Sequence, residues 1–125
     1  MKQLICMALA MLGLSACVAP VPHAKYEWGN YEQSMYGYYK NPSNPAALTA
    51  SLAAIIKKAE AQHTTVAPGL YAEYGYLLML QGNQQGALDN FEKEKRKWPA
   101  SVELMERMSN LAMMPQAAAT AEVKQ

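Results

Sequence analysis

Apolar side chains recur at helical spacing in three stretches of this 125-residue chain. The first covers residues 46–62, where every third or fourth position is apolar and the charged residues fall between them. The second, residues 68–99, is interrupted by a Gln-Gly-Asn turn at 81–83. The third covers residues 101–112, again with its apolar residues on one face. The pattern predicts an all-α domain of about four helices that pack through their apolar faces.

The middle stretch resembles a tetratricopeptide helical hairpin. Its large, small and closing residues fall at the spacing of that repeat, at Tyr71, Tyr74, Gly75, Leu78, Ala87, Phe91 and Pro99. Gly75 and Ala87 leave little side chain where two helices cross, so the backbones can approach closely. Gly82 can adopt the left-handed conformation that ends the first helix, and Asn83 can cap the second. The resemblance implies a protein-binding scaffold.

Two residues depart from the repeat pattern. Tyr74 stands where leucine is usual, and Glu94 stands where a small residue is usual near the end of the second helix. Because a carboxylate is costly to bury, Glu94 predicts that this face of the helix is open rather than covered by a full following repeat.

Incomplete repeats are expected on both sides of the hairpin. Ala53 stands 34 residues before Ala87, so the first apolar helix can be the second helix of a degenerate preceding repeat. Asn44 can cap that helix, with Pro45 in its first turn. Ser101 can cap the last helix, which would begin an incomplete following repeat. The expected architecture is a right-handed array of one and a half to two repeats, preceded by a segment rich in tyrosine and tryptophan.

The first 16 residues have the layout of a secretory signal. One positive charge, at Lys2, precedes an apolar run over residues 4–14 that is too short to anchor the chain in a membrane. The run ends in a motif that resembles the bacterial lipobox in every position, Leu14-Ser15-Ala16-Cys17. The resemblance implies cleavage before Cys17 and a diacylglyceryl group on its thiol. An ordinary signal peptide with a chance cysteine is the alternative.

The mature chain would begin at Cys17, where several acyl chains would hold it durably in a membrane. In enteric-type bacteria an aspartate after the cysteine favours retention at the inner membrane, so Val18 favours the outer membrane. Residues 17–25 are predicted to form a tether, residues 26–114 the helical domain, and the alanine- and glutamine-rich residues 115–125 a disordered tail.

Charge and cysteine content narrow the possible partners. Removal of Lys2 with the signal leaves 10 basic residues against 10 acidic ones. This balance argues against a nucleic-acid partner and against binding anionic lipid by net charge. Removal of Cys6 leaves Cys17 as the sole cysteine, so neither a disulfide within one molecule nor a cysteine-based zinc site can form.

The segment after the tether carries six closely spaced aromatic residues, Tyr26, Trp28, Tyr31, Tyr36, Tyr38 and Tyr39. They are the candidate partner surface, because aromatic side chains are enriched at interfaces; such rings can also stack on sugars. The alternative is that they cover the apolar end of a short helical array. Both uses can coexist, with some rings buried and others exposed.

Candidate catalytic or metal-binding residues are few. His23 and His63 are the only histidines, and neither has a carboxylate at a spacing suited to a metal ligand or a base. The charged run over residues 92–97 is expected to be a solvated helix end. Four methionines are expected in the core rather than in an adaptable groove: Met105, Met108, Met113 and Met114. Without a phosphate loop or a paired nucleophile, we expect neither an enzyme nor a cofactor or metal.

Three features together resemble one protein family. They are the lipobox, a Tyr-Glu-Trp-Gly-x-Tyr segment that continues to Tyr-Tyr-Lys, and a repeat that closes in Lys-Trp-Pro-Ala-Ser. The family consists of small bacterial lipoproteins of unknown function, typically encoded beside a lipoprotein similar to the curli secretion channel and a second small lipoprotein. The resemblance covers nearly all of residues 17–114. It implies an envelope complex with those neighbours and supplies no active-site residue.

Two functions follow as hypotheses. The first is an outer-membrane lipoprotein, anchored through the lipid on Cys17, whose periplasmic domain is an adaptor for another envelope lipoprotein or a secretion-channel-like protein. The alternative is a lipoprotein that binds peptidoglycan or regulates cell-wall synthesis, with its aromatic segment stacked on sugars. A weaker third hypothesis is an accessory subunit of an enzyme.

Overall fold

The computed structural model describes residues 25–114. This part of the chain forms five α-helices: α1 (Tyr31–Lys40), α2 (Ala46–Ala61), α3 (Leu70–Leu80), α4 (Gln84–Lys97) and α5 (Val102–Met113), with a 3-10 turn at Pro99–Ser101. The described residues contain no strand, so the expected all-α class is confirmed. None of these five helices has the length and apolar character needed to cross a membrane. The predicted signal, the lipidation site Cys17, the tether up to residue 24 and the tail over 115–125 lie outside the described residues.

The tyrosine-rich segment is itself a helix, α1, so this part of the chain has five helices where the apolar pattern predicts about four. Its charges complement the helix dipole, with Glu32 in the first turn and Lys40 in the last. Tyr31, Met35 and Tyr38, spaced by four and three residues, pack against the core. No side chain of α1 is fully buried, which explains its weak apolar signal in the sequence.

Two apolar clusters form the core, and α3 lies between them. The first joins α2, the α2–α3 connection and one side of α3, through Leu48, Leu52, Ile55, Ile56, Ala59, Val66, Ala67, Leu70, Tyr71 and Leu77. The second joins the other side of α3 to α4 and α5, through Leu78, Ala87, Phe91, Met105 and Ala112. Because α3 is covered on both sides, its sequence is apolar almost all round rather than along one stripe.

The α3–α4 turn uses the two residues that the sequence suggests. Gly82 has a φ of 79°, in the left-handed region that glycine adopts without strain. The side chain of Asn83 accepts a hydrogen bond of 3.0 Å from the amide of Gly86 and so caps α4. A three-residue connection of this kind holds α3 and α4 as a tight hairpin.

The expected caps of α2 and α5 differ in detail. Helix α2 begins at Ala46 rather than at Pro45, and Asn44 Oδ1 accepts a hydrogen bond of 3.3 Å from the Ala46 amide. Ser101 does not cap α5, contrary to expectation. Its hydroxyl instead donates a hydrogen bond of 3.2 Å to Oε1 of Glu94.

Candidate functional site

The α3–α4 hairpin is closest at Gly75. A Cβ at this position would lie 2.7 Å from Cε1 of Phe91 and 3.1 Å from the backbone oxygen of Ala87. Both of these neighbours are fully buried and surrounded by other side chains, so neither has room to move away. The close crossing of the two helices therefore requires the small residue at 75.

The other predicted repeat positions surround this crossing. Tyr71 belongs to the first apolar cluster and Leu78 to the second, and Tyr74 is half-buried between the two. Pro99 is exposed and starts the 3-10 turn directly after Trp98, the C-cap residue of α4. The structure thus places all the predicted repeat residues in one hairpin and its closing turn.

Glu94 contradicts the expectation that its face of α4 is open, because its side chain is fully buried. Its Oε1 accepts a hydrogen bond of 2.8 Å from the backbone amide of Gly69 and one of 3.2 Å from the hydroxyl of Ser101. Gly69 immediately precedes α3, where a helix has unpaired amides and a positive dipole end that favour a carboxylate. The charged run over residues 92–97 is therefore not wholly a solvated face.

Residues 25–30, which we call the strap, join the beginning of the domain to the end of α4. The ring of Tyr26 packs edge-on against Trp98, with 6.1 Å between centroids, and against Trp28, at 6.4 Å. The ring of Trp28 in turn lies 5.5 Å from that of Tyr31, at the start of α1. The strap thereby connects the end of α4, at Trp98, to the start of α1, at Tyr31, through aromatic contacts.

Two polar contacts hold the strap against α2. Lys58 and Glu27 form an ion pair of 3.1 Å. The hydroxyl of Ser51, a buried residue, donates a hydrogen bond of 2.7 Å to Oδ1 of Asn30. The strap is therefore an integral part of the fold.

The six residues of the candidate partner surface divide into two groups. Three are half-buried and pack against the core: Tyr26, Tyr31 and Tyr38. Three are exposed, with 40%, 63% and 82% of their surface accessible: Trp28, Tyr36 and Tyr39. The structure therefore shows the mixed arrangement, in which one group covers the array and the other faces solvent.

A half-buried tyrosine–carboxyl pair ties α1 to α3. The hydroxyl of Tyr31 donates a hydrogen bond of 2.9 Å to Oε2 of Glu73. Burial, followed by the hydrogen bond and the charge of Glu73, raises the pKa of Tyr31 to about 12. Burial also raises the pKa of Glu73, although the hydrogen bond from Tyr31 acts in the opposite direction.

An open groove, the Tyr71 groove, lies where α2, α3 and α4 meet. The hydroxyl of Tyr71 and the ammonium of Lys93 both donate to Oε1 of Glu60, at 3.0 and 2.8 Å. The bond from Lys93 is the main cause of the lowered pKa of Glu60. Burial, and then the bond to Glu60, raises the pKa of Tyr71 to about 12. The groove has a volume of about 390 Å³ and is also lined by Thr64, Val66, Arg96 and Lys97.

A second groove, the strap groove, meets the first at Thr64. It has a volume of about 350 Å³ and is lined by Lys25, Tyr26, Glu27, Trp28, Gln62 and Thr64. Because Thr64 lines both, the two grooves adjoin each other and make up one surface. We call it the strap-end surface.

The part of the chain that the structure describes contains no group of three or more histidine, cysteine, aspartate or glutamate side chains that could hold a metal ion. His63 is exposed in the turn after α2, with a φ of 54°. His23 lies outside the described residues. Within residues 25–114, His63 therefore lacks the neighbouring ligands that a metal site needs.

Two contacts of the aromatic segment were not predicted from the sequence: that of Tyr26 with Trp98 and that of Tyr31 with Glu73. A partial signal exists for Glu73, because a charged residue inside an apolar helix is expected to have a polar partner. No local signal identifies Tyr31, which lies 42 residues earlier in the chain, as that partner. The contact of Tyr26 with Trp98 likewise depends on the tertiary fold alone.

Residues 25–108 match the model of a protein family described as Domain of unknown function (DUF4810). The match covers more than half of the chain. This chain belongs to the DUF4810 family. No curated protein and no solved structure matches it. The matched range starts at the strap and extends into α5, so the exposed aromatic residues and the strap-end surface all lie in the DUF4810 domain.

Proposed function

We propose that this DUF4810 protein is an outer-membrane lipoprotein whose helical domain faces the periplasm and acts as a protein–protein adaptor. The observation that carries the proposal is the exposure of Tyr36 and Tyr39 on α1. They are three residues apart, so the two rings lie on the same side of the helix. Paired aromatic rings supply a large contact area at a small loss of side-chain entropy, which is why they recur as interface hot spots.

Helix α1 presents these two rings from a fixed position. Another side of the helix, with Tyr31, Met35 and Tyr38, packs against the core, and the hydrogen bond from Tyr31 to Glu73 ties α1 to α3. A surface that is already ordered before binding loses less entropy when a partner arrives. The partner proposed here is another envelope lipoprotein or a secretion-channel-like protein, as the family resemblance implies.

We interpret the α3–α4 hairpin as tetratricopeptide-like, and this supports a scaffold role. The close crossing at Gly75, the cap at Asn83 and the closing Pro99 are the features that favour the assignment. Two residues depart from the pattern: Tyr74, and Glu94, whose buried carboxylate bonds within the hairpin rather than leaving its face open. Short arrays of such hairpins bind partner segments on a rigid surface.

The anchor proposed for this domain is a lipid on Cys17, supported by the lipobox-like sequence that ends there. Metabolic labelling of cells with a fatty-acid analogue should label the protein, and the substitution Cys17→Ser should abolish the label and release the protein from the outer-membrane fraction. Val18→Asp should retain label but shift the protein towards the inner membrane. A Cys17→Ser protein that still carries the label would refute acylation at this site.

Crosslinking in intact cells tests the adaptor role. The protein would be purified through a C-terminal tag, and crosslinked partners would be quantified by mass spectrometry. We expect a channel-like protein or a lipoprotein in fixed proportion to the parent, and loss of that partner when Tyr36→Ser and Tyr39→Ser are combined. Gln33→Ser, also exposed on α1, is the matched control and should retain the partner.

Two results would overturn this proposal. If the double tyrosine variant retains the partner in the same proportion, α1 is not the binding surface. If the tagged protein instead sediments with purified peptidoglycan, and the double variant does not, the exposed rings of Tyr36 and Tyr39 bind sugar. The peptidoglycan-binding alternative would then replace the adaptor.

A further inference from the structure

The carboxylates of the strap-end surface are already neutralised. Glu27 pairs with Lys58 at 3.1 Å, and Glu60 pairs with Lys93 at 2.8 Å. Each of these carboxylates lines one of the two grooves, Glu27 the strap groove and Glu60 the Tyr71 groove. Neither is therefore free to balance a further positive charge on the same surface.

Three cations of this surface form no ion pair with any residue in the range 25–114: Lys25, Arg96 and Lys97. Lys25 lines the strap groove, and Arg96 and Lys97 line the Tyr71 groove. The expected charge balance of the mature chain thus conceals a local excess of positive charge. A net charge near zero argues only against long-range attraction of the whole molecule to an anionic surface. A local cluster of cations still acts on such a surface within the screening length, which is about 10 Å at 0.1 M salt.

An amphipathic aromatic residue accompanies these cations. Trp28 lines the strap groove and has 40% of its surface exposed. Tryptophan favours the boundary between lipid and water, because its ring is apolar and its N–H is polar. A cation beside a partly exposed tryptophan, as Lys25 is in the strap groove, suits a phospholipid headgroup layer, which can bind both the charge and the amphipathic ring.

The proposed tether enters the domain at the strap, next to this surface. Eight residue steps separate Cys17 from Lys25. Fully extended, they span at most about 30 Å. Helix α2 alone, with 16 residues, is about 24 Å long. A fully extended tether is thus longer than α2 and does not by itself exclude the far end of the helix. The strap is nearest to an acylated Cys17 along the chain, and the charges of the strap-end surface would fix the orientation.

We propose that the strap-end surface rests on an anionic phospholipid layer, with Lys25, Arg96 and Lys97 against the headgroups and Trp28 at their edge. The inference rests on the proposed acylation of Cys17 and adds to it a defined orientation of the domain. In that orientation the Thr64 end of α2 faces the lipid and the Ala47 end faces away. Each lysine or arginine that touches an anionic lipid surface raises the ratio of docked to undocked domain by roughly fivefold.

Spin labels on the acylated protein test this orientation. Thr64→Cys and Ala47→Cys place single labels at exposed positions near opposite ends of α2. After signal removal and acylation of Cys17, the introduced cysteine is the only free thiol of the chain. The protein would be reconstituted in vesicles of phosphatidylcholine alone, or of equal parts phosphatidylcholine and phosphatidylglycerol. Collisions of each label with lipid-soluble oxygen and with a water-soluble nickel chelate report its distance from the bilayer.

In vesicles with phosphatidylglycerol at low salt, we expect the Thr64 label to lose nickel collisions and gain oxygen collisions severalfold. The Ala47 label should not change. High salt, or the combined substitutions Arg96→Glu and Lys97→Glu, should return the Thr64 label to its behaviour in neutral vesicles. Arg107→Glu, an exposed cation on α5, is the control substitution and should have no such effect.

Three results would overturn the proposal. The first is a Thr64 label with equal accessibility in both kinds of vesicle. The second is a charge-reversed variant that keeps its lipid contact but loses a crosslinked protein, because the surface would then bind an acidic protein segment. The third is protein that fails to float with either kind of vesicle. That result removes the acyl anchor itself, whereas flotation without the Thr64 effect removes only the orientation.

Discussion

The carboxylate of Glu94 on α4 accepts a hydrogen bond of 2.8 Å from the backbone amide of Gly69, which lies 25 residues earlier in the chain. The same oxygen accepts a bond of 3.2 Å from the hydroxyl of Ser101. One buried side chain thus fixes the start of α3 against α4 and against the turn that leads to α5. A buried carboxylate needs such donors to offset its lost hydration. Both bonds go to Oε1, whereas Oε2 has no hydrogen-bond partner among residues 25–114.

Substitution of Glu94 should reveal this contribution. Glu94→Ala leaves the amide of Gly69 and the hydroxyl of Ser101 without an acceptor, and should lower the free energy of unfolding by about 3 kcal/mol. Glu94→Gln keeps one acceptor oxygen and should lower the free energy of unfolding by less than Glu94→Ala does. Glu92→Ala, at an exposed position two residues away, should remain within about 0.5 kcal/mol of the parent. Urea unfolding of the three variants measures the differences. Equal losses for Glu94→Ala and Glu92→Ala would show that the buried bonds do not stabilise the fold.

Two helical glycines should respond in opposite ways to the same substitution. Gly75→Ala brings a Cβ within 2.7 Å of a Phe91 ring carbon, and should destabilise the protein by about 1–3 kcal/mol. Gly37→Ala on α1 meets no atom within 4 Å, and should stabilise it by about 0.5–1 kcal/mol through helix propensity. Thermal unfolding followed by circular dichroism measures both. Gly75→Leu should unfold the array altogether, and a parent-like melting curve for this variant would contradict the close crossing.

The α3–α4 hairpin could be predicted because its determinants are local. Gly82 and Asn83 act on the turn in which they lie, and Gly75 and Ala87 follow a fixed spacing within two helices. Such features depend on sequence neighbours and helix geometry alone. The burial of Glu94 could not be predicted in this way, because its two hydrogen-bond donors come together only after α3 and α5 have packed on α4.

The aromatic segment could be predicted only as a group. Its composition identifies six candidate residues, but their division depends on how α1 lies on α2 and α3. The inward position of Tyr31 depends on its bond to Glu73, and that of Tyr26 on its contact with Trp98. Tyr36 and Tyr39 face solvent as a consequence of the same helix orientation. The weak apolar period of α1 gives no means of choosing that orientation from the sequence.

Tyrosine ionisation should destabilise the fold at alkaline pH. Tyr31 and Tyr71 have pKa values raised from 10.0 to about 12 in the folded state. Below pH 10 the two tyrosines are protonated in both the folded and the unfolded protein, so their full contribution to stability is present. Above it the unfolded chain loses protons that the folded protein retains, so stability falls as pH rises from about 10 to about 12. Absorbance titration of the folded protein should show these two tyrosines ionising at about pH 12. Tyr31→Phe and Tyr71→Phe should each remove part of this ionisation step, and a Tyr31→Phe protein that keeps the whole step would contradict the raised pKa of Tyr31.

Two glutamates bonded to tyrosines should respond oppositely to neutralisation. The pKa of Glu60 is lowered chiefly by its bond from Lys93, so its contribution is present above the unfolded value of 4.5 and is lost as pH falls through the folded pKa. The pKa of Glu73 is raised chiefly by burial, so its contribution is present below the unfolded pKa and is lost as pH rises through the folded one.

Glu60→Gln should therefore destabilise the protein at about pH 7, by less than about 1 kcal/mol because the pair with Lys93 is exposed, and should have little effect at about pH 3. Glu73→Gln removes a charge whose burial is unfavourable and keeps an acceptor for the hydroxyl of Tyr31. It should leave stability at about pH 7 equal to or above that of the parent. Each substitution is the control for the other, since both exchange a carboxylate for an amide of the same shape. Urea midpoints at the two pH values measure both effects, and a loss at neutral pH for Glu73→Gln as large as that for Glu60→Gln would show that burial is not the dominant influence on Glu73.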